Sequence, residues 1–236
     1  MQEIVRLINE SGLSKSAIAR RAGVSTSTVT RIVAGELDPT IGTATRLINA
    51  LGYQFPSQMP RLCDTRAVHA ARSLIMEEQA EGYWVETLDR WACTISDLVL
   101  TAGQAAPILQ RPETVSIRTS WSPLRIFGAV SAAGTRYVAS GWAAAVAYGV
   151  PDATQNPLVI YVDGGAAALG LALPHDPNGG REVCILPFDG VSEQGAQVSD
   201  GVSWADSYQV VLDLCADHRT EELGLRMLSR LEESRG

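Results

Sequence analysis

The chain has 236 residues, of which 46 % are hydrophobic and 19 % charged, and its formal net charge is −7. The apolar content is sufficient for a packed core, and the lack of a run of about 18 apolar residues argues against a membrane-spanning helix. The acidic balance excludes a protein that coats nucleic acid with its whole surface.

The positive charge is concentrated near the N-terminus. Residues 1–55 contain six Lys and Arg against four Asp and Glu, a net charge of +2, so the remaining residues carry −9. Phosphate repels an acidic surface, so we expect only the N-terminal segment to approach nucleic acid.

The cysteines indicate a reducing compartment. Cys63, Cys93, Cys184 and Cys215 stand far apart and form no C-x-x-C pair, which favours reduced thiols over disulfides or a zinc site. The first residues lack a basic segment followed by an apolar stretch, as a secretory signal would require. We therefore expect a cytoplasmic protein.

Four short helices are predicted within the first 55 residues. Gly12 ends the first helix, and Ser14 is a good N-cap for the second. Gly23 can adopt the positive φ of a tight turn, Ser25 caps the third helix and Thr40 precedes the fourth. The apolar positions expected to face a shared core are Ile4, Val5, Leu7, Ile8, Ile18, Ala19, Ala22, Val29, Ile32, Val33, Ile41, Ala44, Leu47, Ile48 and Leu51.

The outer face of the predicted third helix carries hydroxyl groups and one arginine. Ser and Thr can hydrogen-bond to base edges or phosphates, and Arg can form two hydrogen bonds to guanine. The positive end of the second helix is expected to contact a phosphate. The predicted DNA-binding residues are Thr26, Ser27, Thr30 and Arg31 for base edges, Lys15 and Thr28 for the backbone, and Ser25.

Residues 13–35 follow the pattern L-S-x-x-x-I-A-x-x-A-G-V-S-x-S-T-V-x-R-I-x-x-G, and D-P-T and a helix ending A-L-G come next. This stretch resembles the Xre/Cro-type helix-turn-helix family over about residues 2–55. The resemblance implies an all-α DNA-binding domain of four or five helices, assigned here to residues 1–55, whose third helix enters the major groove. The alternative is a helical unit that contacts only protein.

A linker and helices are predicted over residues 56–112. Pro56 and Pro60 interrupt the helical pattern twice within five residues, so a domain boundary is expected there. Helices are predicted over 65–81 and 84–102, and their short connection favours an antiparallel hairpin. Core packing, a dimer contact and a hinge all remain open as its role.

Residues 113–236 alternate between strand and helix patterns, which is typical of an α/β domain. Strands are predicted at 115–119, 158–162 and 183–186, and helices at 137–148, 166–173, 206–214 and 221–231. The chain as a whole is thus predicted to be a multi-domain α/β protein.

The C-terminal half also resembles AbiEi-type antitoxins of type IV toxin–antitoxin systems. The resemblance is carried by G-T-R-Y at 134–137, S-G-W-A-A at 140–144, I-Y-V at 160–162, residues 183–187 and 208–214, H-R at 218–219 and the last helix. It implies an autorepressor whose larger domain, here 113–236, counters a nucleotidyltransferase-like toxin. That family commonly begins with a winged helix, which this chain lacks.

No catalytic or metal-binding constellation is evident. Nucleotidyltransferases place a Gly-Ser turn before a helix and paired carboxylates one strand later, whereas Ser140-Gly141 is reversed and Asp163 has no second carboxylate. His175 and Asp176 are adjacent in sequence, and such neighbours rarely face each other. We therefore expect no enzyme activity, no cofactor and no metal.

Together these patterns predict a sequence-specific DNA-binding transcriptional regulator. The expected form is a repressor that regulates its own operator and binds double-stranded DNA as a homodimer, because a single small domain discriminates poorly. One alternative is a type IV antitoxin that binds a toxin through its C-terminal domain. A second alternative is a phage-type immunity repressor.

Overall fold

The computed structural model describes residues 2–55, 62–151 and 157–235. The chain divides into two compact units, residues 1–61 and 62–236. The predicted linker, Pro56 to Pro60, lies outside the described residues.

Residues 2–55 of the first unit form four helices, as predicted. They are α1 (Gln2–Glu10), α2 (Lys15–Ala22), α3 (Thr26–Val33) and α4 (Ile41–Ala50). Their apolar stripes meet in one core, in which Ile18, Val29, Ile32 and Leu47 are completely enclosed.

Ile41 is an exception to the predicted core of this unit. Its side chain is 73 % exposed, so its assignment to the core was wrong. At 3.6 residues per turn, Ile41 lies about 120° around the helix from the buried Leu47, at the edge of the apolar stripe.

A six-stranded mixed sheet forms the centre of the second unit. The strands are β1 (Val115–Thr119), β2 (Tyr137–Gly141), β3 (Leu158–Val162), β4 (Arg181–Pro187), β5 (Gln197–Ser199) and β6 (Val202–Trp204). Their spatial order is β1-β4-β3-β2-β6-β5; β3 with β4 and β2 with β6 run parallel, and the other neighbours are antiparallel. All five residues of β3 are buried, as expected for a strand covered on both faces.

Eight helices accompany this sheet in the described residues of the second unit. They are α5 (Arg66–Ile75), α6 (Tyr83–Trp91), α7 (Ile95–Ala105), α8 (Pro123–Ala132), α9 (Trp142–Ala147), α10 (Ala166–Ala172), α11 (Ser207–Cys215) and α12 (Glu221–Arg235). Residues of α5 to α7 belong to the same hydrophobic core as the sheet. The segment that the sequence separates from the α/β domain is therefore structurally part of it, and the architecture confirms the predicted fold class.

Helix α11 lies at the heart of this unit. Its residues 208–215 are all buried, and it packs against α5, α7, α9, α12 and β2. Gly103 allows α7 to approach it closely, because a Cβ there would overlap the carbonyl group of Cys215 and lie 2.9 Å from the nitrogen of Ala216.

Three predicted helices differ from the structure. The helix expected over 65–81 is α5, which already ends at Ile75. The helix expected over 84–102 is α6 followed by α7, because Thr94 and Asp97 form a capping box that starts a new helix. The helix expected over 137–148 is β2 followed by α9. Gly141, at φ 70°, separates the two, and β2 takes strand form because β3 and β6 pair with it.

Three further elements were not predicted although the sequence contains their signals. Helix α8 begins with a Ser122 cap followed by Pro123, a favourable first helical residue. Strands β5 and β6 form a hairpin around Asp200-Gly201, and both residues have positive φ.

Asp189 connects the loop after β4 to α5. Its carboxylate lies 3.0 Å from His69 Nε2 and accepts hydrogen bonds from the backbone N–H groups of Ser192 (2.7 Å) and Val191 (3.0 Å). Burial by itself raises the pKa of Asp189, but these hydrogen bonds outweigh it and hold the pKa well below its usual range.

Acid is therefore expected to destabilise the second unit. A carboxyl with a lowered folded-state pKa contributes its full stability above its unfolded pKa of about 3.9, and the contribution is lost as pH falls through the folded-state pKa. We expect Asp189→Asn to lower the urea midpoint at pH 7 and to differ less from the parent protein at pH 3. Glu232→Gln, an exposed change on α12, is the control. A pH-independent difference for Asp189→Asn would contradict the assignment.

Candidate nucleic-acid interface

Local hydrogen bonds define the tight turn between α2 and α3. Ser14 Oγ accepts the backbone N–H of Ala17, and the N–H of Val24 closes α2 on the carbonyl of Ala19 at 3.0 Å. Gly23, at φ 64°, reverses the chain in the left-handed region that disfavours other residues. Ser25 Oγ then accepts the N–H of Thr28 at 3.0 Å, so α3 starts at Thr26, three residues after Gly23.

The inner faces of both helices fix the orientation of α3. Ile18, Ala19 and Ala22 of α2 pack into the core together with Val29 and Ile32 of α3, and all five are at most 4 % exposed. Because side chains on a rigid helix have fixed directions, the opposite face of α3 is held towards solvent.

The predicted DNA-binding residues lie where a ligand can reach them. Ser25, Thr26, Ser27, Thr30 and Arg31 are exposed, Thr28 is half-buried, and Lys15 is exposed at the first residue of α2. Thr26 with Thr30, and Ser27 with Arg31, form two parallel rows spaced by one helical turn. The structure thus brings six of the seven residues together at α3, with Lys15 on the preceding helix.

The hydroxyl groups of Ser25, Ser27, Thr28 and Thr30 already have local partners. Ser25 Oγ lies 2.8 Å from Ser27 Oγ and 2.7 Å from Thr28 Oγ1, and Thr30 donates to the carbonyl of Thr26 at 3.0 Å. Ser25 therefore holds the helix start, so its substitution would disturb α3 as well as any ligand contact. The remaining hydroxyl lone pairs and the threonine methyl groups stay available to base edges or phosphates.

The charges of this unit are distributed unevenly. On α1, Arg6 is paired with both Glu3 and Glu10, so two of the four carboxylates of residues 1–55 share one cationic partner. Arg31 has only a loose contact, with its Nε 4.0 Å from Glu36 and both side chains more than half exposed. Such exposed pairs contribute at most about 1 kcal/mol, so Arg31 can exchange this partner for a nucleotide.

The basic residues of α2 are less restricted still. Lys15, Arg20 and Arg21 are exposed and form no ion pair with any described residue. The N-termini of α2 and α3 add partial positive charge from their unpaired backbone N–H groups. An α-helix with its side chains is about 10–12 Å in diameter, which matches the roughly 12 Å width of the B-DNA major groove.

The second unit contains a buried polar cluster that sequence reasoning missed. Asp213 accepts hydrogen bonds from Arg111 (2.8 Å), Tyr161 (2.8 Å) and Gln209 (3.0 Å), while Ser140 donates to its second oxygen at 2.6 Å. All five residues are at most 5 % exposed. Gln209 and Asp213 are one turn apart on α11, but the other three residues lie far from them and from one another in sequence. The five follow no local motif, so no sequence signal could have assembled them.

The cluster is enclosed and electrically balanced. Burial raises the pKa of Tyr161 well above its usual value, so the phenol stays neutral, and the Arg111 guanidinium is balanced by the Asp213 carboxylate. Because the polar cluster joins α11 to β2 and β3, we assign the cluster a structural role.

Comparison with known proteins supports a function for the first unit. Residues 4–56 match the family model described as helix-turn-helix, which covers α1 to α4. No curated protein and no solved structure matches the chain. None of the helices in the described residues has the length and apolar character needed to cross a membrane. The chain thus carries an N-terminal helix-turn-helix domain, which supports a role as a DNA-binding transcriptional regulator.

Proposed function

We propose that the protein is a sequence-specific repressor that binds its own operator as a homodimer. The observation that carries this proposal is the outer face of α3, where Thr26, Ser27, Thr30 and Arg31 project from a helix locked by its core. Arg31 supplies a bidentate donor for guanine, and the hydroxyl-bearing residues supply contacts to neighbouring base pairs and thymine methyl groups.

Energetic considerations favour two copies. A single small DNA-binding module buries only about 600–1,000 Å² and reads few base pairs, while a genome offers a vast excess of competing sites. Two copies related by a two-fold axis double the number of contacts and require half-sites about 10 base pairs apart. A dimer that occupies a promoter represses by excluding the polymerase and needs no catalytic step.

Binding-site selection from random duplexes with the purified full-length protein tests the proposal. We expect enrichment of a near-palindrome and a linear fall of log affinity with log salt concentration, because phosphate contacts release counterions. A reporter fused to the selected site should then lose expression when the protein is supplied. Absence of any enriched sequence at low ionic strength would refute DNA recognition, and activation of the reporter would refute repression.

A second candidate function is that of a type IV antitoxin. Residues 56–236 carry a net charge of −9, which suits a basic protein partner better than DNA, and their resemblance to AbiEi-type antitoxins points the same way. Full-length protein with Arg31→Ala, impaired in DNA binding, should still protect cells from the product of a neighbouring toxin gene. If Arg31→Ala lost protection to the same extent as DNA binding, the protein would act as a repressor and not as an antitoxin that binds the toxin.

A phage-type immunity repressor would use the same chemistry at α3. The selected operator distinguishes it from an autoregulator, since its sites would lie in the promoters of a prophage.

A further inference from the structure

The outward side of α6 is an unusual surface of the second unit. We call it the α6 face and define it by Tyr83, Glu86, Thr87, Arg90 and Trp91. Tyr83 is 73 % exposed and Trp91 is 74 % exposed, although both are large aromatic residues. Two such side chains on one nine-residue helix form an apolar surface of the kind that usually contacts another molecule.

Helix α6 is firmly attached by its other side. Leu88 is completely buried, and Trp84 and Val85 pack against the core, where Trp84 Nε1 donates to Asp64 at 2.9 Å. The α6 face is thus presented by a rigid element, and its aromatic residues would lose little conformational entropy on binding.

The charges on the α6 face have no ion-pair partner among the residues that the structure describes. Glu86 and Arg90 are exposed and one turn apart, yet they form no ion pair with each other or with any other described residue. Both lie on the same flank of the helix when the residues are placed 100° apart.

We infer that the α6 face binds a second copy of this chain, with the two α6 helices antiparallel about a two-fold axis near Thr87. Thr87 is the midpoint between Tyr83 and Trp91, and Leu88 is the midpoint between Glu86 and Arg90. An axis between Thr87 and Leu88 therefore brings each Tyr83 to within about 1.5 Å, measured along the helix, of the level of Trp91 of the other copy. In an antiparallel pair, residues on the same flank meet, so the same axis brings each Glu86 to within about 1.5 Å of the level of Arg90 of the other copy. The face is therefore complementary to itself both in apolar surface and in charge, as a two-fold interface requires.

The arrangement also excludes the alternative helix direction. In a parallel pair, the same flanks of the two helices lie on opposite sides of the interface, so Glu86 and Arg90 would find no opposite charge on the other copy. The aromatic residues would act as anchors of the antiparallel contact, as aromatic residues commonly do at interfaces.

The expected dimer is weak. Helix α6 is only about 14 Å long, so the surface area buried in the contact is smaller than the roughly 1,200 Å² that stable complexes typically bury. The biological role of this weak dimer rests on the proposed function. Two copies bound to neighbouring half-sites of one operator have a high effective concentration relative to each other, which is sufficient to form the interface between their α6 faces. A concentration-dependent dimer in free solution is the direct consequence.

Charge reversal tests the pairing. In sedimentation velocity experiments on the full-length protein, from about 1 to 200 μM, we expect Glu86→Lys and Arg90→Glu each to weaken self-association at least tenfold. The double variant should restore it, since the charges are then exchanged but still complementary. Glu232→Lys on α12 and Leu171→Glu on α10 are the controls for charge and for exposed apolar surface. Failure of the double variant to restore association would overturn the proposal, as would single variants that associate normally.

Cross-linking tests the position of the axis. Thr87→Cys, in a chain with Cys93→Ser to remove the exposed thiol, should form an intermolecular disulfide on mild oxidation, whereas Glu232→Cys should not. Equal cross-linking at both positions would overturn the assigned axis.

These measurements need no DNA, so they remain informative if operator binding fails. Conversely, Glu86→Lys should leave affinity for an isolated half-site unchanged while weakening binding to the palindrome. Separate half-site and palindrome titrations therefore distinguish failure of this interface from failure of the proposed function.

Discussion

Replacing Arg31 with alanine is expected to weaken operator binding by about 1–3 kcal/mol and to relax the base preference at one position of each half-site. Within α3, Arg31 is the one side chain able to form two hydrogen bonds to guanine, and its contact with Glu36, 4.0 Å away, is too weak to hold it back. Fluorescence anisotropy with the selected duplex, and with variants at each position, measures both effects.

Arg6→Ala provides a matched control for this prediction. It removes the same charge from the same unit, but Arg6 lies on α1 and is already neutralised by Glu3 and Glu10. We expect it to leave the base preference unchanged. If Arg31→Ala bound the operator normally, the recognition face of α3 would be misassigned. If both variants lost affinity equally for every sequence, Arg31 would act only through its charge.

Replacing Asp213 with alanine is expected to lower the free energy of unfolding of the second unit by about 3–5 kcal/mol. The change leaves the buried Arg111 without a counter-charge and removes the acceptor used by Tyr161, Gln209 and Ser140. Tryptophan fluorescence in a urea titration follows this unit selectively, because the five tryptophans are Trp84, Trp91, Trp121, Trp142 and Trp204.

Two further variants separate charge from packing. Asp213→Asn keeps one acceptor oxygen but loses the charge, so its effect should be intermediate. Combining Arg111→Met with Asp213→Leu removes both charges, and we expect the pair to destabilise less than the sum of the single changes. A loss below about 1 kcal/mol for Asp213→Ala would mean that water replaces the carboxylate, contrary to the enclosure seen here.

The helix-turn-helix domain was predictable because its signals are local. The caps Ser14, Ser25 and Thr40 each bond within their own first turn, and the conformation at Gly23 depends on the absence of a Cβ. The prediction failed at Ile41, which is exposed because its position around the axis of α4 places it at the edge of the apolar stripe, away from the packed neighbours.

The second unit was predictable only in outline. Residues 158–162 form a strand because an uninterrupted apolar run suits a doubly covered sheet, as the sequence indicated. Residues 137–141 contain small residues that suit a helix as well as a strand, and pairing with β3 and β6 decides between them. Thr94 and Asp97 form a capping box, which is a local signal for a new helix, whereas the apolar pattern had predicted one continuous helix over 84–102.

By itself, the sequence determined the helices of the first unit, the direction of the α3 side chains and the alternation of strand and helix patterns over residues 113–236. Only the tertiary structure decided the order of the strands, the attachment of α5 to α7 to the sheet, and the meeting of Ser140, Tyr161 and Asp213. The physical reason is the separation in sequence between interacting residues. A cap or turn is stabilised by residues a few positions away, whereas strand pairing and buried charges are stabilised by partners distant in sequence.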